Sequence, residues 1–462
     1  SHFTGQPAAQ TISALPTTGA PARRRAGPAS PVPPQAVRLL KARPSGAVDL
    51  VHPGVGSGRA PHDQTPHFTS PLDAMQRIPV TERPDLARAA AEHGLEYTAG
   101  EGITGWDERA YYQFMARQVD EDIEAAAEEI EGLCFQIVDR ALGNEEVLRR
   151  LGIAEPFWDY MAESWRNNEK NLYGRMDLSY DGNGPAKLLE YNADTPTALY
   201  ETAVFQWEWL EHAIEAGLAP KDSDQFNDVH ESIVKALPQL GVGALSHFAC
   251  NPDIEDDTET LKYLEECAGE AELKTCFLAM SDIGIDDQGR FTDLDHRVIT
   301  TLIKLYPWEW IMNEDFGLHV PRSGVQFIEP PWKAILSNKG MLALLWGMFE
   351  GHPNLLPAFF EDDPAAASFA DAGTYVRKPM LSRQGANIEI VRDGKTLHHT
   401  DGPYGDDAHI IQGFQPLPEF GGHYPLVGCW LVASKAVGLC IREDKTLVTG
   451  RNARIVPHVI AD

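Results

Sequence analysis

Arg175 and Asp177 stand two residues apart, as do Glu190 and Asn192, and the two runs that hold them flank Asp181-Gly182-Asn183-Gly184. In a β-hairpin that spacing puts each pair on one face and brings the pairs together across the ladder. Asp177, Glu190 and Asn192 are then three oxygen donors suited to a hard cation such as Mg²⁺. That ion takes one or two carboxylates from a protein and fills its shell with water and phosphate. The same pattern describes an exposed charged hairpin face with an incidental Arg–Asp pair, and spacing alone leaves both readings open.

A second group is cationic. Lys339 opens a helical stretch after Pro330, Pro331 and Trp332, and Lys378 ends the strand-like Tyr375-Val376-Arg377-Lys378. Arg383 follows in the small-residue loop Ser382-Arg383-Gln384-Gly385-Ala386-Asn387, ahead of a further apolar run at Ile388–Val391. Such a loop between strands can cover a triphosphate through backbone N–H groups, Gly385 among them, with fixed positive charge beside it. A P-loop is excluded because no GxxxxGK[ST] occurs, and no GxGxxG opens a helix. Taken singly, strand lysines are ordinary surface residues.

In chain order, RMD, LLEYNADTPT, EPPWKAILSNK, YVRKPMLSRQGANIEI, IIQGF and GLCIRED resemble the glutathionylspermidine synthetase family, over about residues 78–460. The resemblance implies an ATP-grasp fold of the α/β or α+β class, filling residues 75–462, and an ATP-dependent carbon–nitrogen ligase. It implies ATP and Mg²⁺, with Asp177, Glu190 and Asn192 as metal ligands and Lys339 and Lys378 on the ATP phosphates. Gln412 falls in the adenine-side strand. Arg383 matches the mobile-loop arginine and Arg442 the late one, both directed at the reacting phosphoryl group. Arg175, Thr195 and Thr197 fall where the family meets its acid substrate, and Asp256 and Asp257 where it meets the polyamine.

That chemistry suits these residue types. A carboxylate resists amines because its leaving group would be oxide, and phosphorylation by ATP converts it to an acyl phosphate that an amine can attack. Both steps build negative charge on transferring oxygens, which calls for a metal and cations rather than a covalent nucleophile. The chain departs from the family pattern at Thr195 and Thr197, at Lys304-Leu305-Tyr306, and after Asp444, where Arg451 and Arg454 replace acidic residues. Glutathione and spermidine are therefore not fixed as substrates. No amidase domain is recognised ahead of the synthetase part, so hydrolase activity is not expected. A nucleotide-binding sensor or scaffold is the competing reading, disfavoured because binding alone does not need both Arg383 and Arg442.

Several elements must position these groups. Met115, Val119, Ile123, Ile130, Cys134, Ile137 and Val138 recur at helical spacing. More helix is expected near 143–170, 198–217, 258–269 and 339–349. Strand is expected at 172–192 as the hairpin, near 273–279, and through most of the chain from 374 onward. Residues 1–72 are rich in Pro, Gly, Ala and Ser, carry seven basic against two acidic residues, and are expected to be a disordered arm.

The 462-residue chain has a net charge of −29, from 39 basic and 68 acidic residues. Such a surface disfavours nucleic acid and favours small cations and amines. No apolar run is long enough for a membrane span, and a cytoplasmic enzyme acting on a small carboxylate and an amine is expected, its oligomeric state left open. The six cysteines show no metal or disulfide spacing and are expected to be buried thiols. His398-His399 and His247 with Cys250 likewise show no metal-ligand spacing.

Overall fold

The hairpin expected around Asp181-Gly182-Asn183-Gly184 is present and forms one edge of a larger sheet. The computed structural model describes residues 74–405 and 407–461, so the arm expected over 1–72 lies outside the described residues. Strands Tyr173–Ser179 and Lys187–Asn192 pair antiparallel, with Arg175 opposite Asn192 and Asp177 opposite Glu190. On its other side Tyr173–Ser179 pairs with Tyr424–Val432, which continues through Lys435–Asp444 to Arg454–Val456. This central sheet has five antiparallel strands.

Alternation along the strands sorts the central sheet into two buried faces. Met176, Leu178, Cys429, Leu431, Leu439 and Ile441 enter one core together with helix Ala125–Leu142. Ile130, Cys134, Ile137 and Val138 of that helix line up as one apolar stripe, as the sequence periodicity requires. Emptying one such position, Ile137→Ala, costs about 2–5 kcal/mol. Tyr173, Trp430, Val432 and Cys440 enter a second core with Trp209, Leu210 and Ile233. Arg175 and Asp177 share the face of Tyr173, where water is excluded, so both need partners within the protein.

A second antiparallel sheet runs in the order Ala358–Phe360, His409–Gly413, Thr374–Pro379, Glu389–Arg392, Lys395–His399. Side chains join it to the hairpin's edge strand: Lys378 Nζ donates to the Leu189 carbonyl at 3.0 Å, and Gln412 Nε2 to the Leu188 carbonyl at 3.2 Å. A four-stranded parallel sheet has the order Gln326–Ile328, Thr301–Leu305, Ser246–Cys250, Thr275–Ala279. Helix Glu255–Glu270 is the crossover between its last two strands. Three further strands, Gln76–Pro79, Ala110–Phe114 and His458–Ile460, form a small sheet. Glu443 of the central sheet ties to it through Arg77 Nε at 2.6 Å and the Tyr112 hydroxyl at 2.5 Å.

The helices expected near 143–170, 198–217, 258–269 and 339–349 are all present, the last as Gly340–Met348 directly after Lys339. Ser246–Cys250 and Thr301–Leu305 were not anticipated, because a strand buried on both faces does not alternate. Among the described residues, no helix is long and apolar enough to cross a membrane.

Candidate active site

Asp177 is the centre of the polar cluster and is fully buried. Its Oδ1 accepts from Arg175 Nε at 2.9 Å, and its Oδ2 accepts from Asn192 Nδ2 at 2.9 Å and from Arg442. Arg175 also donates from Nη1 to the Thr197 carbonyl at 2.7 Å and lies over the Trp430 ring at 5.3 Å. Gly428, opposite Asp177 in the ladder, makes this possible, since a Cβ there would stand 2.7 Å from Arg175 Cδ. Arg442 Nε is buried and has no hydrogen-bond partner.

Glu190 meets the two lysines. Lys339 Nζ lies 3.2 Å from Glu190 Oε2 and donates to the Ser382 carbonyl at 2.6 Å. Lys378 Nζ donates to Gln412 Oε1 at 2.7 Å. Burial alone would raise the Glu190 carboxyl, but Lys339, then Lys378 and Arg442, outweigh it and hold the group well below the usual carboxylate range. Burial pushes the Lys378 ammonium down to about 8; Glu190 opposes that shift and Lys339 adds to it. The structure thus gathers Asp177, Glu190, Asn192, Lys339, Lys378, Gln412 and Arg442 from three strands of the central sheet, two of the second sheet and one helix start.

Arg383 points elsewhere. Its Nη2 lies 3.2 Å from Asp257 Oδ1, and its guanidinium sits 5.7 Å from the Trp310 ring centre. Asp257 is 1% exposed, and its second oxygen has no partner. Burial raises the Asp257 carboxyl and Arg383 opposes the rise. Asp256, its neighbour on the helix, is exposed. Gly385 holds a left-handed φ of +68°, and a Cβ there would meet the Thr449 carbonyl at 2.5 Å, so the loop packs directly on the 444–450 turn.

Thr195 and Thr197 lie on the connection that follows the hairpin, both half-buried. Asp194 fixes that connection: its Oδ1 accepts from Lys304 Nζ at 2.5 Å and its Oδ2 from the Trp308 backbone at 2.9 Å. Lys304 is therefore a buried support, a role its motif position did not reveal. Glu329 and Lys333 of the Glu-Pro-Pro-Trp-Lys run also turn inward, 2.9 Å apart, and bind the backbone of Leu172 and Tyr173 at the head of the hairpin. Sequence reasoning also passed over Glu201, a carboxyl pushed up to about 7 by burial, with Glu259 and Asp256 adding to the shift and Arg175 opposing it.

Residues 77–461 match the family model described as glutathionylspermidine synthase preATP-grasp. The chain belongs to this family. It is 36% identical over 393 residues to a Haemophilus influenzae protein provisionally named an acid–amine ligase, covering 81% of this chain and 97% of the relative. It is 27% identical over 342 residues to trypanothione synthetase of Crithidia fasciculata, covering 67% of this chain and 50% of that one. Identity to the bifunctional glutathionylspermidine synthetase/amidase of Escherichia coli K12 is 24% over 384 residues, or 76% of this chain and 59% of the relative. The chain thus spans about half to three-fifths of the last two proteins. Among solved structures, a glutathione synthetase-like effector from Globodera pallida matches with a TM-score of 0.51 at 12% identity, over 82% of this chain and 96% of that one. The fold is the expected mixed α/β architecture of the ATP-grasp type.

The Mg²⁺ implied by the family can be tested against the donors present. Asp177, Glu190 and Asn192 offer only oxygen and amide groups, and the Asn192 amide nitrogen lies 2.9 Å from one carboxylate and 3.4 Å from the other. Glu190 is the most open of the charged pair. The two carboxylates fit a hard cation once it displaces Arg442 or Lys339 from the oxygens those cations now hold, and Asn192 joins them only by turning its amide oxygen inward in place of the nitrogen.

Proposed function

We propose that the chain is an ATP-dependent acid–amine ligase that forms an amide bond through an acyl phosphate. The observation that carries this reading is the gathering of Lys339, Lys378 and Arg442 around Asp177 and Glu190, with one buried guanidinium N–H of Arg442 still lacking an acceptor. Cations exceed carboxylates there, a surplus that suits polyphosphate.

In this reading Lys339 and Lys378 hold the ATP phosphates, Gln412 orients Lys378 and lies on the adenine side, and the Gly385 loop covers the chain of phosphates. Asp177, Glu190 and Asn192 hold Mg²⁺, which when bound neutralises charge on the phosphate oxygens. Arg442 donates to the transferring phosphoryl group. Arg175 and the Thr195–Thr197 connection receive the acid; exposed Asp256 faces the amine, and buried Asp257 joins it only when Arg383 leaves. Carboxylate oxygen attacks the γ-phosphorus and ADP leaves; amine nitrogen then attacks the acyl carbon, giving the amide, phosphate and a proton. A peptide or amino-acid carboxylate resembling glutathione and an amine of the polyamine class are the substrates to try first.

The test is ADP release by the full chain with paired carboxylates and amines, read together with product mass. With ¹⁸O in the substrate carboxylate, one labelled oxygen must appear in the released phosphate. ATP binding without turnover across the panel would favour a nucleotide sensor instead.

A further inference from the structure

His247 and Cys276 are far apart in sequence yet directly opposite each other on neighbouring strands of the parallel sheet. Asp293, just after the short strand Phe291–Thr292, closes over them. The ligand atoms of all three lie within 4.8 Å of one another. His247 Nε2 stands 3.0 Å from Asp293 Oδ2, while the ring's Nδ1 is buried with no hydrogen-bond partner. A guanidinium already supplies positive charge here: Arg297 lies 2.7 Å from Asp293 Oδ2 through Nε and 3.3 Å from Cys276 Sγ through Nη2. None of these residues belongs to the phosphate cluster.

We propose that His247, Cys276 and Asp293 form a binding site for a borderline-soft divalent metal ion of the zinc class, gated by Arg297. Imidazole nitrogen, thiolate sulfur and carboxylate oxygen together select such an ion over Mg²⁺. Bonds of about 2.0–2.3 Å around a tetrahedral ion place its ligand atoms roughly 3.3–3.8 Å apart. The cluster reaches that spacing by closing inward slightly around an ion, with water as the fourth ligand. Arg297 must move first. Its side chain is 48% exposed, and Asp295 waits 3.1 Å from its Nη2 on the solvent side. Binding converts the Cys276 thiol to a metal thiolate and releases its proton to solvent. The bound ion would pin the loop around Asp293 to the edge of the sheet.

The competing account is an ordinary ion pair in which Arg297 anchors its own loop. The two differ in what Arg297 does to metal affinity, since a gate competes with the ion and an anchor does not. The full-length protein is titrated with Co²⁺ in excess Mg²⁺. One equivalent should give a thiolate-to-cobalt charge-transfer absorption that Zn²⁺ displaces. The other five cysteines are buried, so Cys276→Ser should abolish the band while leaving ATP turnover unchanged. Arg297→Gln should tighten Co²⁺ binding by on the order of tenfold, as removal of one adjacent competing charge requires. No band in the native protein, a band that survives Cys276→Ser, or an affinity that stays level or falls in Arg297→Gln overturns the proposal.

Discussion

Arg383 and Asp257 form an ion pair, 3.2 Å between Nη2 and Oδ1, that ties a loop of the second antiparallel sheet to the first turn of helix Glu255–Glu270. The guanidinium assigned to the reacting phosphoryl group therefore rests on a buried carboxylate, and it must exchange partners to act. An interaction made only as charge develops lowers turnover without much change in ground-state affinity. Arg383→Ala should reduce kcat on the order of 10²-fold while ATP affinity, by calorimetry, changes only a few-fold. It should also lower the melting temperature by stranding Asp257. Adding Asp257→Asn should recover the stability, and recovery of turnover with it would place Arg383 outside the chemistry.

Glu190 differs from Asp177 in how much structure depends on it. Asp177 receives Arg175, Asn192 and Arg442, whereas Glu190 is partly exposed and has Lys339 beside it. Glu190→Gln should keep the fold and abolish Mg²⁺-dependent ATP turnover; Asn192→Ala should be milder, because water can replace a neutral ligand. Full activity in folded Glu190→Gln protein would remove the metal assignment.

Lys378 gives a pH signature. Its ammonium is pushed down from 10.5 to about 8 by burial, so its charge is lost as pH rises through 8 and KM for ATP should climb above that point. Glu190 pulls the other way, so Glu190→Gln should move the onset in ATP binding to lower pH. Stability runs in the opposite sense. The unfolded chain binds the extra proton between about pH 8 and 10.5, so this lysine's cost to folding is full below 8 and relieved above it. A KM independent of pH from 7 to 10, read beside denaturant midpoints, would contradict this account.

Lys304→Met should cost about 3–5 kcal/mol by leaving Asp194 charged and buried without its partner. Because Asp194 also accepts from the Trp308 backbone and anchors the connection bearing Thr195 and Thr197, KM for the acid should rise more than KM for ATP. Equal rises would indicate a general loss of structure.

The hairpin was legible because two-residue spacing and a glycine-rich turn are local signals, and the structure brings the two pairs together across the ladder as expected, in the register Arg175–Asn192 and Asp177–Glu190. Lys339 at a helix start and Lys378 in a strand were legible for the same reason. What stayed hidden depends on contacts remote in sequence. Arg442 reaches Asp177 from 265 residues further along the chain, and Gly428 of Tyr424–Val432 leaves the space that Arg175 fills. Lys304 sits in a strand with no alternation to announce which way it points. His247 showed no metal spacing because its companions come from the next strand and the loop beyond.

The pairing of Tyr173–Ser179 with Tyr424–Val432 and of Ala110–Phe114 with His458–Ile460 constrains how the protein is made. A ribosome delivers the hairpin and its carboxylates long before the strands that cover them. Until then Asp177 lacks Arg442, and Ala110–Phe114 lacks its neighbour on one side. Closure of such distant pairs is slow, and waiting edges invite association with other chains. Assembly of the cluster around Asp177 must therefore wait for Lys435–Asp444, whose Arg442 lies 265 residues further along the chain.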